Sequence, residues 1–334
     1  MMKVNRLLSR QLKKVNITSV EDITEESFQK LLKLVNQSYS TYEEDKNLYE
    51  STAELVSSEF QDLTKDLRKK VNELEKINNT LRDSIEYASL MQQAILPSPN
   101  TLKNFCSDNF ICWIPKDIVG GDIYLINTLD QDSILIMVID GAGHGVSGAF
   151  LTMLVKAIEE QVIAKIKNKA LKPSPALILE YFNLSIKMML QQDKGSKSNS
   201  GFDGGVLYYN KKTNVCKYAG AKTPLYIVHN NQLKIIKSDR KSVGYVRTSL
   251  SQKYTEYDIK IQKDTKLYIT TDGMPDQEGA NNSRYGIEKF KKFILKHQHL
   301  SFSKQYEDLK KSFMLFKGDT QQSDDITVMG LSFQ

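Results

Sequence analysis

Four aspartates lie far apart in the chain, each in a short turn-like motif beside an apolar segment. The motifs are Asp117-Ile-Val-Gly-Gly-Asp122, Asp140-Gly-Ala-Gly-His-Gly145, Thr271-Asp-Gly273 and Ser323-Asp-Asp-Ile-Thr327. Carboxylates with small neighbours, brought to one point by separate strands, suit Mg²⁺ and Mn²⁺, which prefer oxygen ligands and keep several waters. A pair of such ions can activate water for attack on phosphorus. The aspartates Asp122, Asp140, Asp272 and Asp324 therefore favour metal-dependent hydrolysis of a phosphate ester.

Each of these acidic turns is a weak signal when it is taken alone. Gly120-Gly121-Asp122 is a common kind of turn, and Asp272-Gly273 is a standard turn pair. The Ser323-Asp-Asp segment could equally cap a helix or lead into a strand. The prediction of a metal site rests on the joint occurrence of four acidic turns, each beside a predicted strand.

The elements that must position these aspartates are short apolar segments separated by turns, beginning near residue 105. Strands are predicted at 110–115, 122–129, 134–139, 203–210, 214–220, 224–228, 233–237, 254–261, 266–271 and 326–333. Helices are predicted at 148–166, 174–192, 286–297 and 303–316. Many strands with two strong central helices favour a layered α/β sandwich.

Residues 1–95 differ in composition from the rest of the chain, since they contain neither glycine nor proline. A heptad pattern places Phe60, Leu67, Leu74, Leu81 and Ala88 at a, and Leu63, Lys70, Ile77, Ser84 and Met91 at d. This spacing predicts an imperfect parallel coiled coil that dimerises the chain. The alternative is one long helix that packs on its own globular domain. Because Leu96-Pro-Ser-Pro99 ends the helix, the predicted domains are residues 1–95 and 96–334.

Composition argues against several other classes of protein. The net charge is +6, from 46 Lys and Arg against 40 Asp and Glu, with no basic stripe that would indicate nucleic-acid binding. Three unpaired cysteines and four histidines make a zinc site unfavourable, although His297-x-His299 could chelate a metal. No apolar segment reaches the ~20 residues of a membrane helix, and residues 1–8 lack a signal-peptide core. We therefore expect a cytoplasmic protein.

The segment Gly143-x-Gly145-x-x-Gly148 also matches the dinucleotide-binding fingerprint, in a strand–turn–helix setting. That motif needs an acidic residue about 20 positions later, at the end of a second strand. Here a lysine-rich segment follows the helix, and Asp140 would repel a pyrophosphate. A dinucleotide oxidoreductase is therefore the less favoured alternative.

The motifs together resemble one protein family over roughly residues 86–334. They are Ile85–Pro97, Pro115-Lys-Asp-Ile-Val-Gly-Gly-Asp122, Asp140–Gly148, Thr271-Asp-Gly, Tyr285-Gly286 and Asp324-Asp-Ile-Thr-Val. This set is similar to the SpoIIE-type branch of the metal-dependent protein phosphatases (PPM, protein phosphatase 2C-like), which are serine/threonine phosphatases. Residues 145–157 and Asp276-Gln277 are most similar to the subgroup of the biofilm regulator SiaA. The resemblance implies an α/β (α+β) fold, a β-sandwich flanked by helices in α-β-β-α layers, after a long N-terminal helical coiled-coil region.

The resemblance also implies the metal ligands. They are Asp122, Asp140, the Gly141 carbonyl, Asp272 and Asp324, with Asp325 left open as a replacement for Asp324 or as its support. Asp140 is expected to bridge two Mn²⁺ or Mg²⁺ ions, and a third ion is left open. The nucleophile would be a hydroxide held by both ions, rather than a side chain.

Two further residues are candidates for catalysis. His144, four residues after the bridging aspartate, could protonate the departing seryl or threonyl oxygen; the alternative is a structural or hydrogen-bonding role. Lys116 could hold the substrate phosphate as a point charge, or it could be an ordinary surface lysine.

The expected substrate is a small STAS-like or anti-sigma-antagonist-like phosphoprotein of a bacterial partner-switching pathway. We expect a homodimer through residues 50–95, and regulation through this linker helix by repositioning of Gly120-Gly121-Asp122. The second class of function that stays open is a binding or scaffold protein that keeps the fold without turnover.

Overall fold

The computed structural model describes residues 5–193, 195–196, 198–281 and 283–333. Residues 1–4, the start of the segment that lacks a signal-peptide core, lie outside the described residues. The chain divides into two compact units, Met1–Thr80 and Leu81–Gln334. In the part of the chain that is described, no helix is both long and apolar enough to cross a membrane.

The first unit is helical. It holds helix α1 (Arg6–Lys14) and the greater part of α2 (Glu25–Ile95), a helix of 71 residues. Gln11 of α1 donates hydrogen bonds to the Leu34 carbonyl and the Ser38 hydroxyl of α2. The long N-terminal helix is therefore confirmed. It ends two residues before Pro97, as the loss of a backbone donor at proline requires. The domain boundary predicted at residue 95 coincides with this helix end, whereas the two units divide at Thr80.

The second unit contains ten strands and five further helices among its described residues. The strands are β1 (Cys106–Ile114), β2 (Asp122–Thr128), β3 (Ser133–Gly141), β4 (Phe202–Asn210), β5 (Val215–Ala221), β6 (Leu225–His229), β7 (Gln232–Ile236), β8 (Tyr257–Lys260), β9 (Lys266–Thr270) and β10 (Ile326–Phe333). The helices are α3 (Gly145–Lys167), α4 (Pro175–Met189), α5 (Gly273–Asp276), α6 (Ile287–His297) and α7 (Phe302–Lys317).

The strands form two antiparallel sheets. One has the order β1-β10-β9-β6-β7 and the other β2-β3-β4-β5-β8. Strand β3 shows how the layers arise, because its side chains alternate between two buried faces. Ile134, Ile136 and Val138 point into the core between the sheets, whereas Leu135 and Met137 pack under α3 and α4. Helices α6 and α7 cover the outer face of the other sheet, so the predicted α-β-β-α sandwich is confirmed.

Each predicted strand and helix of the second unit has a counterpart in the structure, with shifts at the ends. The largest shift is at β1, which begins at Cys106 instead of residue 110. The strand predicted at 254–261 is too long, because β8 covers Tyr257–Lys260 alone. The Thr255 backbone amide instead donates to the Asp239 carboxylate at 2.6 Å, which takes this residue out of the strand ladder. The predicted helix at 174–192 begins after Ser174, whose hydroxyl caps its first turn at the Leu177 amide.

Candidate metal centre

Three aspartates form a row across three adjacent strands of one sheet. In the strand register, Asp122 at the start of β2 pairs with Asp140 near the end of β3, and Asp140 pairs with Asp203 near the start of β4. Directly paired residues of antiparallel strands point to the same face, with Cβ atoms about 4.5–5.5 Å apart. Like charges in this arrangement repel one another, so the row needs compensating positive charge.

The second sheet brings two more aspartates to the same edge. Asp272 follows the end of β9, and Asp324 precedes the start of β10, the antiparallel neighbour of β9. The carboxyl groups of Asp140 and Asp272 lie within hydrogen-bonding reach. Asp324 lies close enough to Asp122, Asp140 and Asp272 to raise their pKa values. The structure therefore brings together the four aspartates that the sequence singled out.

Two threonines connect the sheets at Asp122. The hydroxyls of Thr271 and Thr327 both donate to Asp122 Oδ2, at 2.8 and 2.7 Å. The Trp113 indole N–H donates to the Asp122 carbonyl at 3.1 Å. Asp122 is 2% exposed, and these bonds fix one oxygen of its carboxylate.

The electrostatics of the cluster favour a cation. Burial raises the pKa of Asp122 to about 8, and the charges of neighbouring aspartates add to the rise. Burial also raises the pKa of Asp140 well above its usual range, with Asp122 and Asp272 as the next causes. The pKa of Asp272 is raised by desolvation and by the charge of Asp276. Divalent cations would offset this repulsion and hold the carboxylates ionised.

Asp325 differs from its neighbour Asp324 in what its carboxylate binds. Its Oδ1 accepts the Lys116 backbone amide at 2.7 Å, and its Oδ2 accepts the Gly121 amide at 2.6 Å. Asp324 Oδ1 accepts one hydrogen bond, from the Asp325 amide. Asp325 thus holds the 116–122 loop in place, and Asp324 keeps oxygen lone pairs for a cation.

Glycines let three backbone segments meet at the site. Gly121 accepts a hydrogen bond from the Gly141 amide at 3.1 Å. A Cβ atom at Gly121 would collide with the Gly143 carbonyl, and it would lie 2.8 Å from the Gly141 carbonyl. The Gly141 carbonyl, one of the predicted ligands, lies where these backbone segments meet, because glycine has no side chain to keep them apart.

A pocket of about 400 Å³ opens beside the row and is lined by Asp140, Asp203 and Asp272. The structure gives Asp203 Oδ1, which is buried, no hydrogen-bond partner among the described residues. Such a carboxylate oxygen suits a cation, because buried acceptors otherwise find a donor. In the described ranges, no three Asp, Glu, His or Cys side chains enclose a metal ion by themselves. Water would have to complete the coordination, as it does for Mg²⁺.

His144 and Lys116 lie together in a different groove, which Asp117 and Val146 also line. The His144 Nδ1 atom is 2.8 Å from Asp117 Oδ2, and both side chains are about half exposed, 49% and 48%. His144 is the residue before the first turn of α3. The pocket beside the aspartate row contains neither Lys116 nor His144 in its lining.

Gln92 in the last turn but one of α2 binds the loop that carries Asp122. Its Nε2 donates to the Gly120 carbonyl at 2.7 Å and to the Thr152 hydroxyl at 3.0 Å, and its Oε1 accepts the Gly120 amide at 3.1 Å. Its side chain is buried, with 2% exposure. The helix end and the metal-site loop are therefore joined by both polar atoms of one side chain.

Asp203, Gln92 and the two threonines at Asp122 were not predicted from the sequence. A signal for Asp203 was present, because Gly201-Phe-Asp203-Gly-Gly205 repeats the pattern of an aspartate between glycines at a strand end. The threonine contacts carry no local signal, because they depend on how two sheets meet. Gln92 lies in a helical segment where a glutamine is typical of the solvent-exposed face.

Comparison with known proteins agrees with this geometry. The family model of stage II sporulation protein E (SpoIIE) matches residues 130–334. The solved structure of the SiaA-PP2C domain of Pseudomonas aeruginosa is 29% identical with a TM-score of 0.68, and the match covers 77% of this chain and 98% of that one. The PP2C phosphatase domain, with a fragment of the regulatory domain, of the cell fate determinant SpoIIE from Bacillus subtilis is 14% identical with a TM-score of 0.53, which shows the fold alone. That match covers 69% of this chain and 62% of the other. Curated protein sequences gave no match.

Proposed function

Because the chain belongs to the SpoIIE family and is a PP2C-like serine/threonine phosphatase, we propose that it dephosphorylates a small regulatory phosphoprotein. We further propose that it uses two divalent cations, bound by its own aspartates, for this reaction. The observation that carries this proposal is the row of Asp122, Asp140 and Asp203, joined by Asp272 and Asp324 from the second sheet. This arrangement concentrates negative charge at one partly open edge of the sandwich, where a phosphoryl group can reach it.

The proposed ligands of the cations are Asp122, Asp140, the Gly141 carbonyl, Asp272 and Asp324. Bound Mn²⁺ or Mg²⁺ ions would lower the pKa of water and offset charge on the phosphoryl oxygens. Thr271 and Thr327 orient Asp122 through its Oδ2 atom, and Asp325 orients the loop before Asp122 through two backbone amides. The residues of this chain thus supply placement and charge, which phosphoryl transfer chiefly requires.

The proposed substrate is a phosphoserine or phosphothreonine on a small STAS-like or anti-sigma-antagonist-like protein, in a cytoplasmic partner-switching pathway. The family supports this substrate class. The exposed position of Asp272 supports it too, because an open site can accept a phosphoryl group on a protein surface. The roles of His144 as proton donor and Lys116 as phosphate-holding cation stay predictions.

The direct test is hydrolysis of p-nitrophenyl phosphate with Mn²⁺, Mg²⁺ or EDTA. We expect turnover with Mn²⁺ or Mg²⁺ that EDTA abolishes and that Asp140→Ala reduces by at least about 10³-fold, because the mutation removes the central carboxylate of the proposed ligands. Asp258→Asn is the matched control, since this aspartate is 86% exposed on β8, outside the site, and its turnover should stay unchanged.

The outcomes separate the candidate functions. No turnover together with no metal binding in calorimetry would contradict the enzyme proposal and favour a binding or scaffold protein. Metal binding without turnover would point to a chain held inactive by its linker helix. Absorbance changes that depend on an added nicotinamide cofactor would instead support the dinucleotide alternative.

We also propose a homodimer through residues 50–95. The apolar a positions of the heptad pattern are exposed along α2, with Phe60 at 69%, Leu67 at 61% and Leu74 at 66%. The d positions Leu63 and Ile77 are exposed to a similar extent, 69% and 64%. A stripe of this length costs free energy in water, and a second copy of the helix would bury it.

Regulation through the linker is the remaining part of the proposal. The contacts of Gln92 with both backbone polar groups of Gly120 provide a physical connection from α2 to the Asp122 loop. A change in the packing of α2 would then reposition Asp122 and change the affinity for cations.

Proline substitutions test this connection. Leu81→Pro or Ile85→Pro should reduce the Mn²⁺-dependent rate at least about tenfold, because proline breaks the helix between the earlier heptads, which begin at Phe60, and Gln92. Leu81→Ala and Ile85→Ala keep the helix and serve as controls. An unchanged rate in both proline variants would count heavily against regulation through the linker.

A further inference from the structure

Lys222 lies in the pocket beside the aspartate row, after strand β5. The pocket is also lined by Asp140, Asp203 and Asp272. Among the described residues that line it, Lys222 is the one lysine or arginine. A phosphoryl group that enters this pocket therefore meets one cationic side chain, and the other charged side chains that line the pocket are aspartates.

The backbone at Lys222 is held in an unusual conformation. Its φ angle is +56°, in the left-handed region that residues other than glycine, asparagine and aspartate seldom occupy. Its amide donates to the Asp239 carbonyl at 2.7 Å, and isolated β-bridges pair Lys222 with Gly204 and Ala221 with Asp239. A conformation that the surroundings enforce in this way fixes where the side chain begins, and such strain is concentrated at functional sites.

Among the described residues, the side chain of Lys222 has one ionic partner, and it is exposed enough to move away from that partner. Its Nζ atom is 3.0 Å from Asp203 Oδ2, and the lysine side chain is 50% exposed. The other oxygen of Asp203 is buried with no hydrogen-bond partner in the described part of the chain. Asp203 is thus only half satisfied by Lys222, and a divalent cation would compete for the same carboxylate.

We propose that Lys222 is a phosphoryl-binding residue, held by Asp203 until a divalent cation takes over that carboxylate. The proposal rests on the proposed phosphatase function. Lysine is suited to this exchange because its ammonium is a compact charge on a flexible stem, which can turn from a carboxylate to a phosphoryl oxygen. Lys222 then recognises the phosphoryl group and makes no contact with the leaving group.

The first test uses inorganic phosphate as the probe. Lys222→Met keeps the length of the side chain and removes its charge. We expect it to weaken phosphate binding to the Mg²⁺-loaded protein about tenfold, as loss of one charge-assisted hydrogen bond predicts. The KM for p-nitrophenyl phosphate should rise by a similar factor while kcat changes less than about threefold. Lys222→Arg should restore most of the phosphate affinity.

A matched control is available on the surface. Lys253 forms an ion pair with Glu180 at 2.7 Å, outside the pocket and 78% exposed. Lys253→Met removes a comparable ion pair and should leave phosphate binding unchanged. Equal phosphate affinity in wild type and Lys222→Met would overturn the proposal, as would a fall in kcat with no change in phosphate affinity.

The second test measures cations without any substrate. If Lys222 competes with the cation for Asp203, Lys222→Met should bind Mn²⁺ at least as tightly as the wild type in calorimetry. Weaker Mn²⁺ binding would show that Lys222 supports the fold of the site, which contradicts the proposed exchange. Direct titration with phosphate needs no turnover, so it tests the role of Lys222 even if the wild type is inactive. The phosphatase function is rejected separately, by a wild type that shows neither turnover nor metal binding.

Discussion

Asp325 binds Gly121 through a hydrogen bond of 2.6 Å from the glycine amide to Oδ2, although the two residues are 204 positions apart. Its other oxygen binds the Lys116 amide. The second aspartate of the Asp324-Asp325 pair therefore supports the 116–122 loop, while the first lies near the other carboxylates. This division of roles between adjacent residues can be measured.

Asp325→Ala and Asp324→Ala should differ in their effect on the metal-free protein. In EDTA, Asp325→Ala should lower the free energy of unfolding by about 2–4 kcal/mol, because buried amides lose a charged acceptor. Asp324→Ala should leave that free energy unchanged or raise it, since it removes a repelling charge. Thermal unfolding with and without Mn²⁺ distinguishes them, because Asp324→Ala should lose the stabilisation by Mn²⁺. An Asp325→Ala variant as stable as wild type in EDTA would contradict the supporting role.

The sequence predicted the strands and helices well because their apolar spacing is local. Strand β3 is buried on both faces, and this explains why residues 134–139 are apolar without interruption. The meeting of Asp122, Asp140, Asp272 and Asp324 was predictable from a repeated pattern of aspartate, glycine and strand end. The family was predictable too, and the match of residues 130–334 confirms it.

Other parts of the site were beyond the sequence because they depend on register and on contacts between sheets. The glycines around Asp203 could have marked it as a candidate, but its place in the row depends on the register in which β4 pairs with β3, which sets Asp203 opposite Asp140. The choice between Asp324 and Asp325 depends on which carboxylate turns toward the backbone of the 116–122 loop. The start of the strand predicted at 254–261 was wrong because the Thr255 amide donates to the Asp239 carboxylate and not to a neighbouring strand.

The stability of the metal-free protein should fall as the pH rises. Burial raises the pKa of Asp122 to about 8 in the folded state, whereas an unfolded aspartate titrates near 4. Between these values the folded state binds more protons than the unfolded state, so the free energy of unfolding decreases with pH. In EDTA, the unfolding temperature should therefore decline from about pH 5 to pH 8. Saturating Mn²⁺ should remove most of this decline. Without metal, Asp122→Asn should reduce the decline and leave a remainder, because the pKa values of Asp140 and Asp272 are raised too. A flat profile for the wild type would contradict the raised pKa of Asp122.

Gly121→Ala should damage the site through the backbone alone. The added Cβ atom would collide with the Gly143 carbonyl and approach the Gly141 carbonyl to 2.8 Å. We expect a loss of about 3 kcal/mol or more in the free energy of unfolding, or a displaced loop that binds Mn²⁺ poorly. Denaturant unfolding and calorimetry measure the two effects. Gly195→Ala is the control, because its nearest neighbour would be Asp193 at 3.8 Å. Normal stability together with normal Mn²⁺ affinity in Gly121→Ala would be inconsistent with this close packing.

Leu74→Glu should convert a dimer into a monomer. Leu74 is an a position and is 66% exposed; burying such a side chain contributes roughly 1.5–3 kcal/mol, and both chains of a dimer would lose it. The mass from light scattering at micromolar concentration should halve. Asn72→Glu, at an outer heptad position, adds the same charge and should leave the mass of the dimer unchanged. A monomeric wild type would reject the coiled coil, and an unchanged mass for Leu74→Glu would reject this heptad register.

The role of His144 can be tested through the leaving group. A seryl oxygen needs a proton as it departs, whereas p-nitrophenolate leaves without one. If His144 donates this proton, His144→Asn should lower kcat for a phosphoserine peptide by about 10²-fold or more, and kcat for p-nitrophenyl phosphate by less than about threefold. Asp117→Asn removes the negative charge opposite His144 Nδ1, which lies 2.8 Å from Asp117 Oδ2. It should cause a smaller loss on the peptide because the pair is half exposed to water. Equal losses on both substrates would indicate that His144 supports the structure of the site and does not protonate the leaving oxygen.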